Sequence, residues 1–126
     1  MIRIPDLGRF ELRLMDGSAN PYLLQASVLA AGLYGLKNKI NPGKPLNCNM
    51  YTDYAKYPDL PKLPDQLDQS LNELKNNEHM NEAFGKNVIE SFIKLRKSEI
   101  KEFNSKENFN KTKPITKWEK ENTLDC

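Results

Sequence analysis

Gly8 to Leu23 reads GRFELRLMDGSANPYL, and the spacing within it decides how the rest of the chain is organised. Arg9, Glu11 and Arg13 alternate with Phe10, Leu12 and Leu14. Alternation over six residues is the pattern of a half-buried β-strand. Side chains two apart on a strand point the same way, about 6 to 7 Å from one another, so Arg9, Glu11 and Arg13 share one face and the other face is apolar. Two readings fit the charged face. It is an ordinary solvated surface, or its arginines grip a polyanion while the carboxylate between them holds a metal ion. Arginine offers a planar fork matched to carboxylate and phosphate oxygens, and a carboxylate is a hard oxygen ligand suited to Mg²⁺ or Mn²⁺.

The strand hands directly into a helix. Asp16-Gly17 makes a turn, Asn20 is a good N-cap, and Pro21 falls at the first helical position, where its missing N–H costs nothing. The helix is expected from Pro21 to about Ile40, with Leu23, Leu24, Val28, Leu29, Leu33 and Leu36 spread around much of its circumference. A helix apolar nearly all round is expected to be buried nearly all round. Asn41-Pro42-Gly43 stops it. Before the strand, residues 1–5 form a short extended piece bent by Pro5 and by the Asp6-Leu7-Gly8 turn.

Downstream, residues 44–64 are punctuated by Pro45, Pro58, Pro61 and Pro64 and rich in tyrosine, which predicts a long ordered loop. Leu67, Leu71 and Leu74 predict a short amphipathic helix over 65–76, and residues 77–85 read as polar and turn-rich. A second long helix is expected over 86–103 with Val88, Ile89, Phe92, Ile93, Leu95, Ile100 and Phe103 on one broad face. Residues 104–113 read as a polar linker, and Pro114 to Glu119 as the start of a last short helix anchored by Trp118. The class is α+β, one clear strand followed by mostly helices. No other segment reads as a strand able to pair with Arg9 to Leu14, and the first helix carries more apolar surface than the later helices can cover. An isolated strand leaves its backbone groups unpaired, so the chain is expected to be part of a larger domain.

Composition bounds the function. A chain of 126 residues with 38% apolar residues is one domain's worth, without material for a large core. A formal charge of +2, with Lys and Arg mixed among Asp and Glu, gives no footprint for nucleic acid. No apolar run reaches the length of a membrane span and the first residues lack a signal-peptide pattern, so a cytoplasmic protein with no membrane partner is expected. Cys48 and Cys126 read as incidental thiols, and His79, in a polar run, has no second ligand at metal spacing.

The run RFELRLMDGSANPYL, preceded by Ile2-Arg3-Ile4-Pro5 and followed by Gly35-Leu36-Lys37-Asn38-Lys39-Ile40 and Pro42-Gly43, strongly resembles the C-terminal part of the glutamine synthetase catalytic domain. That family carries I-R-I-P, R-x-E-x-R, D-x-x-A-N-P-Y and G-[IL]-x-x-K-I in this order. The resemblance is most specific through residue 43 and looser afterwards, and the last residues look like the type III subgroup. It implies an ATP-dependent ligase that joins ammonia or a small amine to glutamate through a γ-glutamyl phosphate, with Mg²⁺ or Mn²⁺ between facing carboxylates. Carried over by residue, Glu11 matches the glutamate that helps bind one cation and Arg13 the arginine that contacts substrate glutamate. Arg9 and Arg3 match arginines near the ATP phosphates. Tyr51 aligns near a tyrosine that some bacterial members have adenylylated, although Thr52-Asp53-Tyr54 depart from that pattern.

The family's other metal ligands, its ammonium site and its N-terminal domain lie upstream of these motifs. The resemblance therefore implies a chain that begins within a catalytic domain and is inactive alone, completed by the missing upstream part or by a homo-oligomer. Two alternatives are a free-standing module that docks on an intact ligase, and a non-functional remnant with uncovered strand edges.

Overall fold

The computed structural model describes residues 2–15, 17–106 and 115–123. Ile2–Asp6 (β1) and Arg9–Leu12 (β2) form an antiparallel hairpin in which Ile2 faces Leu12, Arg3 faces Glu11 and Asp6 faces Arg9. The strand expected to have no partner in the chain thus has one. Pro5 hides β1 in the sequence, because proline cannot donate to a ladder. The pairing accommodates it through a register irregularity between Arg3 and Asp6, the interval that holds Pro5. The turn is closed by Gly8 at φ 76°, in the left-handed region that glycine enters without a Cβ penalty. The Asp6 carboxylate also accepts from the Leu7 N–H at 2.8 Å. β2 ends at Leu12, two residues short of the expected strand, so Arg13 projects from the segment that leaves the hairpin.

Helix α1 spans Pro21–Lys37. Its start is as the sequence predicts: the Asn20 side-chain oxygen accepts from the N–H groups of Tyr22 and Leu23, both at 3.0 Å. Its end comes earlier than Ile40. Lys39 sits at φ 51°, and the Ile40 N–H reaches back to the Gly35 carbonyl at 2.9 Å while the Lys39 N–H reaches Leu36 at 3.2 Å. This is a Schellman closure with lysine where glycine is usual. The expectation that α1 is buried nearly all round does not hold, for none of its residues is buried and Leu29, Leu33 and Leu36 are each more than half exposed. Helical periodicity reports where apolar side chains point, not whether the chain carries the surface to cover them.

The tyrosine-rich loop contains a turn of helix that the prolines concealed. Met50–Asp53 (α2) runs into a 3₁₀ turn at Tyr54–Lys56, in the proline-free window between Pro45 and Pro58. Asn49 caps it by accepting from the Tyr51 N–H. α3 (Leu67–Asn76) matches the expected amphipathic helix and buries Leu71, whereas the region read as turn-rich contains α4 (Glu78–Phe84). Polar composition masked α4, but its punctuation is present: Asn77 accepts from the Met80 N–H as N-cap and Gly85 ends it at φ 82°. α5 (Lys86–Lys106) runs three residues beyond the expected end and buries Ile89 and Ile93 one turn apart. Its buried stripe is narrower than expected, since Val88 and Leu95 are exposed. α6 (Lys117–Asn122) is the expected last helix, with Trp118 buried.

These elements fall into two units, Met1–Leu29 with Glu99–Cys126, and Ala30–Ser98. In the first unit Trp118 packs edge-on against Phe103, ring centroids 5.6 Å apart. The reciprocal capping box of Thr116 and Glu119 sets α6 going. The second unit holds Leu71, Ile89 and Ile93, the buried aliphatic residues among those described.

Candidate functional site

The hairpin gathers four charged residues that the sequence singled out. Glu11 lies on β2 with Arg9 two residues before it and Arg13 two residues after, and its partner across the ladder is Arg3. Arg3 therefore reaches the charged face by strand pairing, a placement that the alternation within residues 9–14 alone does not reveal. Arg3 Nη1 donates to Glu11 Oε2 at 3.2 Å and to Oε1 at 3.4 Å. Arg9 Nη2 donates to Oε1 at 3.1 Å, and Arg13 Nη2 to Oε2 at 3.2 Å. Both carboxylate oxygens are engaged by guanidinium groups.

Geometry and charge give this cluster a sign. Three guanidiniums surround one carboxylate, and with Asp6 opposite Arg9 on the same face of the hairpin a net positive charge remains there. The Glu11 side chain is 31% exposed, while those of the arginines range from 50% to 66%. The carboxylate is thus the inner member and the arginines are the solvent-facing rim. Hydrogen bonding from Arg3 does most to hold the Glu11 carboxyl below the usual carboxylate range; partial desolvation opposes it, and Arg13 adds to the lowering. Such a rim can bind an anion of several oxygens, because each guanidinium carries five N–H donors and Glu11 takes up only some of them. On the opposite face Ile2 and Phe10 are exposed.

A cation site is not completed by these residues. Divalent cations of the Mg²⁺ type need several oxygen ligands, and no group of three His, Cys, Asp or Glu residues is placed to hold a metal among the described residues. Glu11 is one carboxylate with both oxygens turned toward arginines, so by itself it cannot fill the coordination shell of such a cation.

The remaining candidates are placed elsewhere. Tyr51 is 86% exposed at the start of α2, a geometry that leaves its hydroxyl in water. Cys48 lies 3.5 Å from the Met50 sulfur, and its hydrogen bond with Tyr57 pushes the tyrosine's pKa up; Cys126 lies outside the described residues. His79 is exposed, in keeping with the polar run around it, but it is not without contacts. Its ring stacks on Tyr34 with centroids 3.6 Å apart, in a groove of about 470 Å³ within the second unit that Lys37, Met80 and Glu82 also line. Sequence reasoning missed this pairing because it joins α1 to a helix that polar composition concealed. Among the described residues no helix is long and apolar enough to cross a membrane.

The family described as glutamine synthetase, catalytic domain, matches residues 1–116. The chain is similar to the glutamine synthetase of Rhizobium meliloti, at 42% identity over 125 residues, 99% of this chain and 27% of that protein. It is also similar to the glutamate–methylamine ligase of Methyloversatilis universalis, at 40% identity over 106 residues, 82% of this chain and 24% of that protein. Among solved structures, a GmaS/ADP complex superposes with a TM-score of 0.78 at 37% identity, covering all of this chain and 27% of the other. The chain spans about a quarter of the length of the curated relatives it matches.

Proposed function

Because the chain belongs to the glutamine synthetase family and corresponds to part of its catalytic domain, we propose that it supplies the arginine-rich hairpin to the active site of an ATP-dependent ligase joining an amine to the side-chain carboxylate of glutamate. The observation that carries this reading is the convergence of Arg3, Arg9 and Arg13 on one face of a short, register-fixed hairpin. In such a reaction a phosphoryl group passes to the glutamate carboxylate and is then displaced by the amine, so negative charge must be balanced in succession on ATP, acyl phosphate and released phosphate. Positioned guanidiniums do this in a partly desolvated site without having to reorganise as the charge develops.

Arg3 and Arg9 are assigned to the phosphate oxygens and Arg13, just beyond the end of β2, to the substrate glutamate. Glu11 is assigned as one ligand of a divalent cation. The described residues do not complete a metal site, so the other ligands belong to the remaining part of the ligase. The acceptor is ammonia or a small amine; similarity to a methylamine ligase supports the wider class. The completed enzyme is proposed to work in the cytoplasm.

The test is reconstitution. The chain is mixed with a glutamine synthetase truncated before the matched quarter, and glutamate- and amine-dependent ADP formation is followed in the presence of Mg²⁺. Turnover from the mixture and from neither piece alone is the expected result. A stable complex of the two pieces without turnover overturns the assignment.

A further inference from the structure

The hairpin holds its own anion, and this bears on how the arginines meet an external one. We propose that in the free chain, before assembly supplies the other cation ligands, Glu11 is a built-in competitor for the anion site, its carboxylate occupying the guanidiniums of Arg3, Arg9 and Arg13 that an incoming phosphate-type anion must engage. The inference rests on the anion-binding reading of these arginines given above, and goes beyond it by assigning Glu11 a role toward the anion.

Every arm of the cluster converges on the same two oxygens, at 3.1 to 3.2 Å for the shortest contact of each arginine. The carboxylate is fixed to the same strand as Arg9, in register with Arg3 and two residues from Arg13 just past the strand end, so it acts at the high effective concentration of an intramolecular ligand. Each guanidinium nevertheless keeps at least half of its side-chain surface exposed, so a soluble anion has an open approach to the donors that Glu11 leaves unused. The excess of positive charge gives that anion a net attraction, and the carboxylate subtracts from it.

The competing possibility is that Glu11 orients the arginine forks and so helps an anion to bind. The two differ in the sign of one substitution. Glu11→Gln keeps the shape and an accepting oxygen but removes the charge. If Glu11 competes, the substitution strengthens anion binding; if Glu11 only orients, it weakens it.

The experiment is calorimetric titration of the full chain with inorganic tripolyphosphate at neutral pH and low ionic strength. Wild type is compared with Glu11→Gln and with Glu90→Gln, which makes the same change in total charge on α5, in the second unit. The expected result is binding about tenfold tighter in Glu11→Gln than in wild type, a gap that narrows as salt screens the charges, with Glu90→Gln close to wild type. Equal or weaker binding by Glu11→Gln overturns the proposal while leaving the anion site standing. Equal tightening in both variants also overturns it, as a plain effect of net charge. Binding by neither wild type nor Glu11→Gln overturns it together with the anion-binding reading. Glu11→Asp, which retains the charge but shortens the reach by one methylene, is the second probe should Glu11→Gln lose the hairpin. Binding tighter than wild type is expected there too, and binding no tighter overturns the proposal.

Discussion

Arg3, Arg9 and Arg13 are exposed ion-pair partners, and exposed pairs contribute little to folding, about 0 to 1 kcal/mol each. Their arrangement around one carboxylate is therefore not accounted for by folding stability alone. In the reconstituted enzyme Glu11→Ala is expected to reduce turnover by roughly 100-fold or more, the scale of losing a positioned electrostatic group, while the circular dichroism of the chain stays as it was. Turnover near wild type sinks the metal-ligand assignment. Acid provides a second reading at this scale. The Glu11 carboxyl is held below its ordinary value by Arg3 and Arg13, and the Glu102 carboxyl by hydrogen bonds from Lys106 and Trp118. A carboxylate depressed in the folded state contributes stability that is complete above its unfolded value, about 4.3, and is lost as pH falls through the lower folded value. Urea midpoints are accordingly expected to hold steady from neutrality down to about pH 5 and to fall below about pH 4. In Glu102→Gln the acid-induced fall should be shallower; an unchanged acid limb would remove Glu102 from the account.

At the scale of the element, punctuation proved more legible than composition. Asn20-Pro21 announced α1, and the Pro114 to Trp118 stretch announced α6, because caps and the first helical position are local chemistry that a sequence carries in full. β1 and α4 escaped for a shared reason: in each, one residue type argued against the element while a longer-range feature allowed it. Pro5 is tolerated by a slip in register, and the polar residues of α4 are held between the Asn77 cap and Gly85. The candidate site was legible as far as Arg9, Glu11 and Arg13 share a face. The addition of Arg3 needed the pairing of two strands. The capping box offers a direct test of how much such local devices contribute. Thr116→Ala removes the hydroxyl that accepts from the Glu119 N–H at 3.1 Å, and should cost about 1 kcal/mol. Trp118 fluorescence against urea reads the loss, and an unchanged midpoint would show that the edge-on contact with Phe103 holds α6 without its cap.

The molecule as a whole carries less burial than its apolar content asks for. Four hydrophobic residues are buried among those described, while α1 exposes Leu29, Leu33 and Leu36, and the hairpin exposes Ile2, Ile4 and Phe10. Apolar surface of that extent on a short chain marks an interface, in keeping with a chain that matches about a quarter of its relatives' length. Leu29→Glu is expected to lower self-association of the isolated chain in sedimentation velocity and to abolish reconstitution with the remainder of a ligase. Reconstitution at wild-type yield would place the interface elsewhere. The two-stranded sheet carries a related consequence. With one neighbour each, β1 and β2 satisfy only part of their backbone by pairing with one another. The remaining amides trade protons with solvent freely until another strand arrives. Deuterium uptake across residues 2–12 is therefore a clock for assembly, fast in the lone chain and slowed at alternate positions once a neighbouring strand is docked, whether or not a single turnover has occurred.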